Sequence, residues 1–336
     1  MNPPVRGRTA KARVEASTTM SALNRRLGGL IAASRGLLRH GRPARVLLFG
    51  PRSLGDDLLC TAVLREARRR GLAFAVMTDR PEFFHQNADP ARVIPINDYY
   101  AIALRRLGSD VIQPYYVPRD PVRPERDLLP PRHIIAEMCR LAGLQGEIAV
   151  RPYLHLTPEE KSRGALVPRQ VTIHSTCLTA SLPYPTKEWG VTRLAAVARE
   201  LSRDFKLVQL GTDADPALPV DTDLRGRTSL REAAAILAAS EVFVGLEGFL
   251  AHLARAVDCP SVVVLGGRAR PETFGYVCNV NFYRAVDCAP CGLRDGCPYD
   301  LKCLAEILPE TVAAAVRELA ARHPPRPLPA ETAILP

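Results

Sequence analysis

No apolar run in this sequence approaches the roughly 20 residues that a helix needs to cross a bilayer, so no segment reads as a membrane-spanning helix. The signatures of several large enzyme classes are missing as well. No G-x-G-x-x-G follows a strand-like run, which counts against a dinucleotide-dependent dehydrogenase, and no G-x-x-x-x-G-K-[ST] is present, which counts against a P-loop enzyme. H-E-x-x-H and G-x-S-x-G are absent, and with them the zinc proteases and serine hydrolases that carry those motifs. The N-terminus lacks the compact apolar stretch and small-residue cleavage site of a signal peptide, so the expected location is the cytoplasm, at the inner face of its membrane.

The chain is long enough, at 336 residues with 47% apolar, for two domains with full cores. Its net charge of +10 is unevenly placed. Nine basic residues (Arg6, Arg8, Lys11, Arg13, Arg25, Arg26, Arg35, Arg39 and Arg42) lie in the first 42 positions against one acid, Glu15, so the other 294 residues carry a surplus of only two. A nucleic-acid enzyme more often spreads such charge over a folded face, and no aromatics are interleaved here, so no nucleic-acid partner is expected. An arm of this kind suits an anionic membrane surface, or is simply a poorly ordered terminus. Within 21–39, Leu23, Leu27, Leu30, Ile31, Leu37 and Leu38 recur at near-helical spacing among arginines, as in an interfacial helix, although Gly28 and Gly29 weaken that pattern.

Beyond the arm the pattern alternates between strand and helix. Strands are expected at 45–49, 73–78, 93–96 and 110–113, and helices at 58–70 and 134–142. Residues 115–132 hold five prolines and are longer than an ordinary loop, which implies a functional loop or a flexible flap. The alternation then resumes, with strands at 170–174, 206–210, 241–245 and 261–265 and helices at 191–202, 229–239, 249–257 and 310–322. The expected fold is α/β: a basic arm (1–42), two Rossmann-like domains (43–160 and 161–325) with a cleft between them, and a tail (326–336). Clefts of this kind concentrate ligand sites at the carboxyl ends of strands.

The turn GPRSLGDD sets Ser53, Gly55 and Asp56 between a strand's end and a helix's start. Asp56 there is placed to act as a general base, or Asp56 and Asp57 merely cap the helix and complement its dipole. The surrounding R-V-L-L-F-x-x-x-S-L-G-D-x-L-L-x-T-x-x-L-R resembles the opening motif of glycosyltransferase family 9, the heptosyltransferase family. Three later segments are similar to that family in the same order: I-H-S-T-C…P-T-K-E-W, L-R-G-R-T-S-L-R-E, and V-G-L-E-G-F-L-A-H-L-A-R-A-V. The resemblance covers 44–75 and 170–320. It implies the GT-B architecture, an ADP-heptose-type nucleotide-diphospho-sugar donor, a glycan or glycolipid acceptor, and Asp56 as catalytic base. Lys187 then matches the family's phosphate-binding lysine. The donor site is expected to draw on Ser175, Thr176, Thr186, Lys187, Gly211, Thr228, Glu247, Gly248 and His252. Glu247 stands where the family commonly has Asp, and Phe249 where it has Gly, which bears on donor identity.

A leaving diphosphate needs fixed positive potential, which Lys187, loop hydroxyls and the free N–H groups of the helix after Glu247 can supply. A base on the opposite side of the sugar predicts inversion at the anomeric carbon. No catalytic cofactor or divalent metal is inferred. The bland alternatives are a solvated loop charge for Lys187 and a satisfied core histidine for His252; Trp189 is expected to pack in the core. Cys288, Cys291, Cys297 and Cys303 read C-x2-C-x5-C-x5-C, a spacing that suits a structural zinc or iron–sulfur cluster, or unligated thiols. Cys60, Cys139, Cys177, Cys259 and Cys278 are expected to be isolated thiols. Against the transferase stands a second class, a non-catalytic nucleotide-sugar or glycan-binding protein.

Overall fold

A computed structural model describes residues 27–48 and 54–336; Phe49, Ser53 and the part of the basic arm before residue 27 lie outside them. Residues 27–40 form helix α1. The alternation then follows as β1 (Arg45–Leu48), α2 (Leu54–Arg69), β2 (Ala75–Met77), β3 (Arg92–Ile94), α3 (Asp98–Arg106), β4 (Asp110–Ile112) and α4 (Ile134–Leu141). The first sheet has the order β3-β2-β1-β4, all parallel. After Arg45 its central strand β1 is a continuous buried apolar run, Val46 to Leu48, because a parallel sheet is covered on both faces. In α2, Asp56 and Asp57 occupy the first turn and Arg68 and Arg69 the last, matching the helix dipole at both ends.

After β5 (Gly146–Val150) and α5 (Pro158–Arg163) the second half continues with β6 (Gln170–Ile173), α6 (Val191–Leu201), β7 (Lys206–Gln209), β8 (Thr222–Asp223) and α7 (Leu230–Ala239). It is completed by β9 (Val242–Leu246), α8 (Phe249–Ala256), β10 (Ser261–Val264), α9 (Pro271–Phe274), β11 (Val280–Phe282), α10 (Lys302–Ala305), α11 (Pro309–Ala321) and β12 (Glu331–Leu335). The second sheet is also parallel, in the order β11-β10-β9-β6-β7-β8. Capping boxes start two of its flanking helices: Thr157 with Glu160 on α5, and Ser229 with Glu232 on α7.

One continuous apolar core runs from α2 and α4 to α7 and α8; another lies beneath α6 and α11. Trp189 is fully buried in the latter, its indole N–H donating to the Ile307 carbonyl at 3.2 Å, so it packs as expected. The Pro-rich tail carries one more element than the sequence suggested. β12 returns to pair antiparallel with β5, residue 331 opposite 150 and 335 opposite 146. Asp258, at the end of α8, holds both connecting passes of chain: it accepts from Arg151 at 2.5 Å and from the Leu328 N–H at 3.1 Å.

Strand order locates the candidate site. In the first sheet, β2 and β3 add on one side of β1 and β4 on the other, so the topological switch falls between β1 and β4; in the second it falls between β6 and β9. Ligands bind in open α/β sheets at the carboxyl ends of such strands.

Candidate active site

The segments that leave β1, β4, β6 and β9 line one cavity of about 560 Å³. Asp56 reaches it from the first turn of α2. The Tyr116 hydroxyl donates to Asp56 Oδ1 at 2.6 Å. Burial, and then the Asp56 charge, push the Tyr116 phenol well above its usual range, so it stays a donor. The adjacent carboxylate is used differently. Asp57 is buried and paired with Arg80, and burial lifts its pKa to about 6 against the opposing pull of Arg80. One acid thus faces the cavity while its neighbour is locked inside.

Tyr116 belongs to the proline-rich segment, which is anchored rather than loose. Asp127, with no side-chain exposure, is clamped by Arg268 and Arg294, the latter through Nε at 2.7 Å. The Asp127 N–H also donates to the Gly292 carbonyl at 2.8 Å. Arg268 and Arg294 line the cavity together with Arg119, Tyr184 and Phe274.

Across from Asp56, Glu247 directly follows β9 and forms an ion pair with Lys187. The Lys187 side chain is only 13% exposed, which removes the solvated-loop reading. Its ammonium lies 4.8 Å from the centre of the Tyr184 ring. Burial alone would raise the Glu247 carboxyl, but Lys187, then His252 and Arg268, outweigh it and hold the carboxyl below its usual range. Gly248 caps α8 without a side-chain hydrogen bond, so the first amides of that helix are not taken up by a cap. His252 is buried, its Nδ1 hydrogen-bonded to the Tyr276 hydroxyl at 2.7 Å, and burial drops its pKa to about 4; the imidazole is neutral.

Of the residues singled out from sequence, Asp56, Lys187, Glu247, Gly248 and His252 meet in this cavity. Ser175, Thr176, Thr186, Gly211 and Thr228 do not line it. Ser175 is buried and accepts from Gln209 at 3.1 Å; Thr176 donates to Glu188 at 2.7 Å; Thr186 donates to the Leu293 carbonyl at 2.7 Å. Gly211 follows β7 beside Asp215, and Thr228 precedes Ser229, the residue that caps α7. Sequence reasoning missed Tyr116, Tyr184, Arg268 and Arg294. Tyr116 stood in the proline-rich segment already singled out, and Tyr184 lies directly before P-T-K-E-W; Arg268 and Arg294 stood in neither.

Cys288, Cys291, Cys297 and Cys303 line a second, smaller cavity of about 60 Å³, which Arg268 shares with the first. All nine cysteines are free, and the Gly267 N–H donates to Cys303 Sγ at 3.1 Å. Burial, with neighbouring thiols adding to it, raises the Cys291 and Cys303 thiols. Among the described residues no group of three or more His, Cys, Asp or Glu side chains is arranged to hold a metal ion. No helix among them is long and apolar enough to cross a membrane.

Comparison with known proteins adds to this geometry. Residues 173–295 match the model of glycosyltransferase family 9 (heptosyltransferase). The matched segment contains Lys187, Glu247, Gly248 and His252, but not Asp56. Among solved structures, the chain is similar to the E. coli ADP-heptose lipopolysaccharide heptosyltransferase II, at 17% identity and a TM-score of 0.61, over 83% of this chain and 99% of that one. A family 9 glycosyltransferase from Veillonella parvula gives 14% and 0.59 over 84% and 98%. The iron-containing dodecameric glycosyltransferase TibC of enterotoxigenic E. coli gives 16% and 0.63 over 84% and 77%. At these identities the likeness is one of fold. No curated protein matches.

Proposed function

We propose that this chain, whose residues 173–295 match the model of glycosyltransferase family 9 (heptosyltransferase), is an inverting glycosyltransferase of that family. It moves a heptose-like sugar from an ADP-heptose-type donor to a hydroxyl of a cell-surface glycan or glycolipid. The two sheets are the centres of two Rossmann-like domains in the GT-B arrangement, and the larger cavity is the cleft between them. One observation carries the reading: a carboxylate from the first sheet and a buried lysine–glutamate pair from the second line the same cavity.

In this reading Asp56 takes the proton of the acceptor hydroxyl, with Tyr116 holding the carboxylate in place through Oδ1. As the glycosidic bond breaks, charge grows on the departing diphosphate. Lys187 and the amino end of α8 meet that charge, with no divalent metal in the step. Donor binding draws Lys187 toward phosphate and frees Glu247 to accept sugar hydroxyls. The TibC structure with ADP-D-β-D-heptose bound supports the choice of donor class, on the same fold. Ser175, Thr176, Thr186, Gly211 and Thr228 stay in the proposal only as the shell that shapes the donor side.

Screening nucleotide-sugars by thermal shift, then measuring release of nucleoside diphosphate with a glycolipid acceptor, tests the assignment. Stabilisation by an ADP-sugar with acceptor-dependent turnover is the expected result. Stabilisation without turnover would identify a non-catalytic binding protein instead.

The four clustered cysteines are not arranged to hold a metal ion, so the structural metal expected from their spacing is left out of the proposal.

A further inference from the structure

Helix α1 presents two unlike sides. At 3.6 residues per turn, Gly29 and Gly36 fall on one side. A Cβ on Gly36 would come within 2.6 Å of the Tyr100 ring, and one on Gly29 would strike the Tyr99 ring, so this side rests its backbone directly on α3. Tyr100 also donates to the Gly41 carbonyl at 2.7 Å, and Leu37 packs against the core beneath. The other side holds Leu27, Leu30, Ile31 and Leu38, between 46% and 88% exposed. Tyr99, Ile102 and Leu107 of the α3 region are also exposed. Apolar side chains are therefore turned to water on a helix whose small residues are spent on docking.

Charge settles what covers that face. Residues 27–42 contain Arg35, Arg39 and Arg42 and no acid. Arg92 adds to them, donating to the His40 carbonyl, and His40 itself is depressed by burial and then by the Arg39 and Arg92 charges. A second copy of this face would set arginines against arginines, which is unfavourable. We infer that the outer face of α1 docks on an anionic phospholipid bilayer, leucines entering the interface and arginines meeting the headgroups.

The helix also has a direction. Gly29 and Ala32 meet Tyr99 and Asn97, just past the carboxyl end of β3, while His40 meets Arg92 at that strand's start. The Leu27 end therefore lies at the carboxyl ends of the first sheet, where Asp56 and Tyr116 reach the cavity. Docking there sets the mouth of the acceptor side near the lipid surface. The surface argument stands without the transfer reading; only this last placement rests on it.

Flotation of the full chain with vesicles of phosphatidylcholine, alone or mixed with phosphatidylglycerol, tests the inference. Binding is expected with the mixed vesicles only, and raised salt should weaken it. The pair Leu30→Glu and Leu38→Glu should cut partitioning about tenfold or more, and Arg35→Glu with Arg39→Glu by a similar factor. Thermal stability and the response to nucleotide-sugars should be unchanged in both variants, which separates this test from that of the transferase reading. Failure of the wild-type chain to float, or flotation of the leucine variant equal to wild type, overturns the inference. So does a lipid-free dimer that the leucine variant abolishes, which would assign the face to a second copy.

Discussion

Replacing Asp56 with asparagine is expected to lower kcat by about 10³-fold, within the range for losing a positioned general base, while the thermal shift produced by a nucleotide-sugar stays close to wild type. That factor corresponds to ~4 kcal/mol of barrier. Asparagine preserves the shape of the side chain and still accepts the hydrogen bond from Tyr116, so only the basic oxygen is lost. Asp57 offers no substitute, because it is buried, paired with Arg80 and does not line the cavity. Donor binding should survive because Lys187 and Glu247 stand on the second sheet's side of the cavity. Undiminished turnover in this variant would remove Asp56 from the mechanism. Loss of donor binding would mean that it supports structure instead.

Lys187→Met is expected to cost both activity and stability, for separable reasons. Loss of a charge aimed at the leaving diphosphate should reduce kcat by about 10²–10³-fold. Glu247 would remain buried without its partner, a situation that costs about 3–5 kcal/mol. The sign of the pH dependence should reverse as well. In the wild-type chain the Glu247 carboxyl is held below its usual range, so its contribution is present at higher pH and is lost as pH falls through the folded value. With Lys187 gone, burial dominates and raises that carboxyl, so the variant should lose stability as pH rises out of the acid range. Adding Glu247→Gln should restore most of the stability and none of the transfer. Chemical denaturation across pH and single-turnover kinetics read the two effects apart. Stability unaffected by Lys187→Met would show that the pair opens freely to solvent.

Much of this was legible along the chain, and the reasons differ by residue. The strand RVLL and the helix after it stand out because a covered parallel strand is apolar on both faces and α2 closes with a glycine at 71. The parallel α/β class followed from alternation alone. β11 and β12 were not legible: the first is three residues long, and the second takes its partner from nearly 200 positions away, a pairing that no local pattern announces. The short helix α3 hid behind two tyrosines that turned out to be the bed for α1. At the site, Asp56, Lys187, Glu247, Gly248 and His252 sat in motifs with recognisable neighbours. Arg268 and Arg294 looked like ordinary surface arginines, because what makes them site residues is Asp127, more than a hundred positions earlier. Gly29 counted against a helix on propensity and proved to be what lets that helix dock, a case of tertiary contact overriding local preference.

The strand pairing of β12 with β5 has a mechanical consequence. Because the polypeptide passes through β5 near residue 150 and comes back to it as β12 at residue 331, two spans of backbone link that strand pair to the second half, and Asp258 pins them at a common point. A body on one tether can swivel about any axis; a body on two can only swing like a door about the line through them. Should the proposed transferase close over its donor, that movement would turn about the line through these two spans.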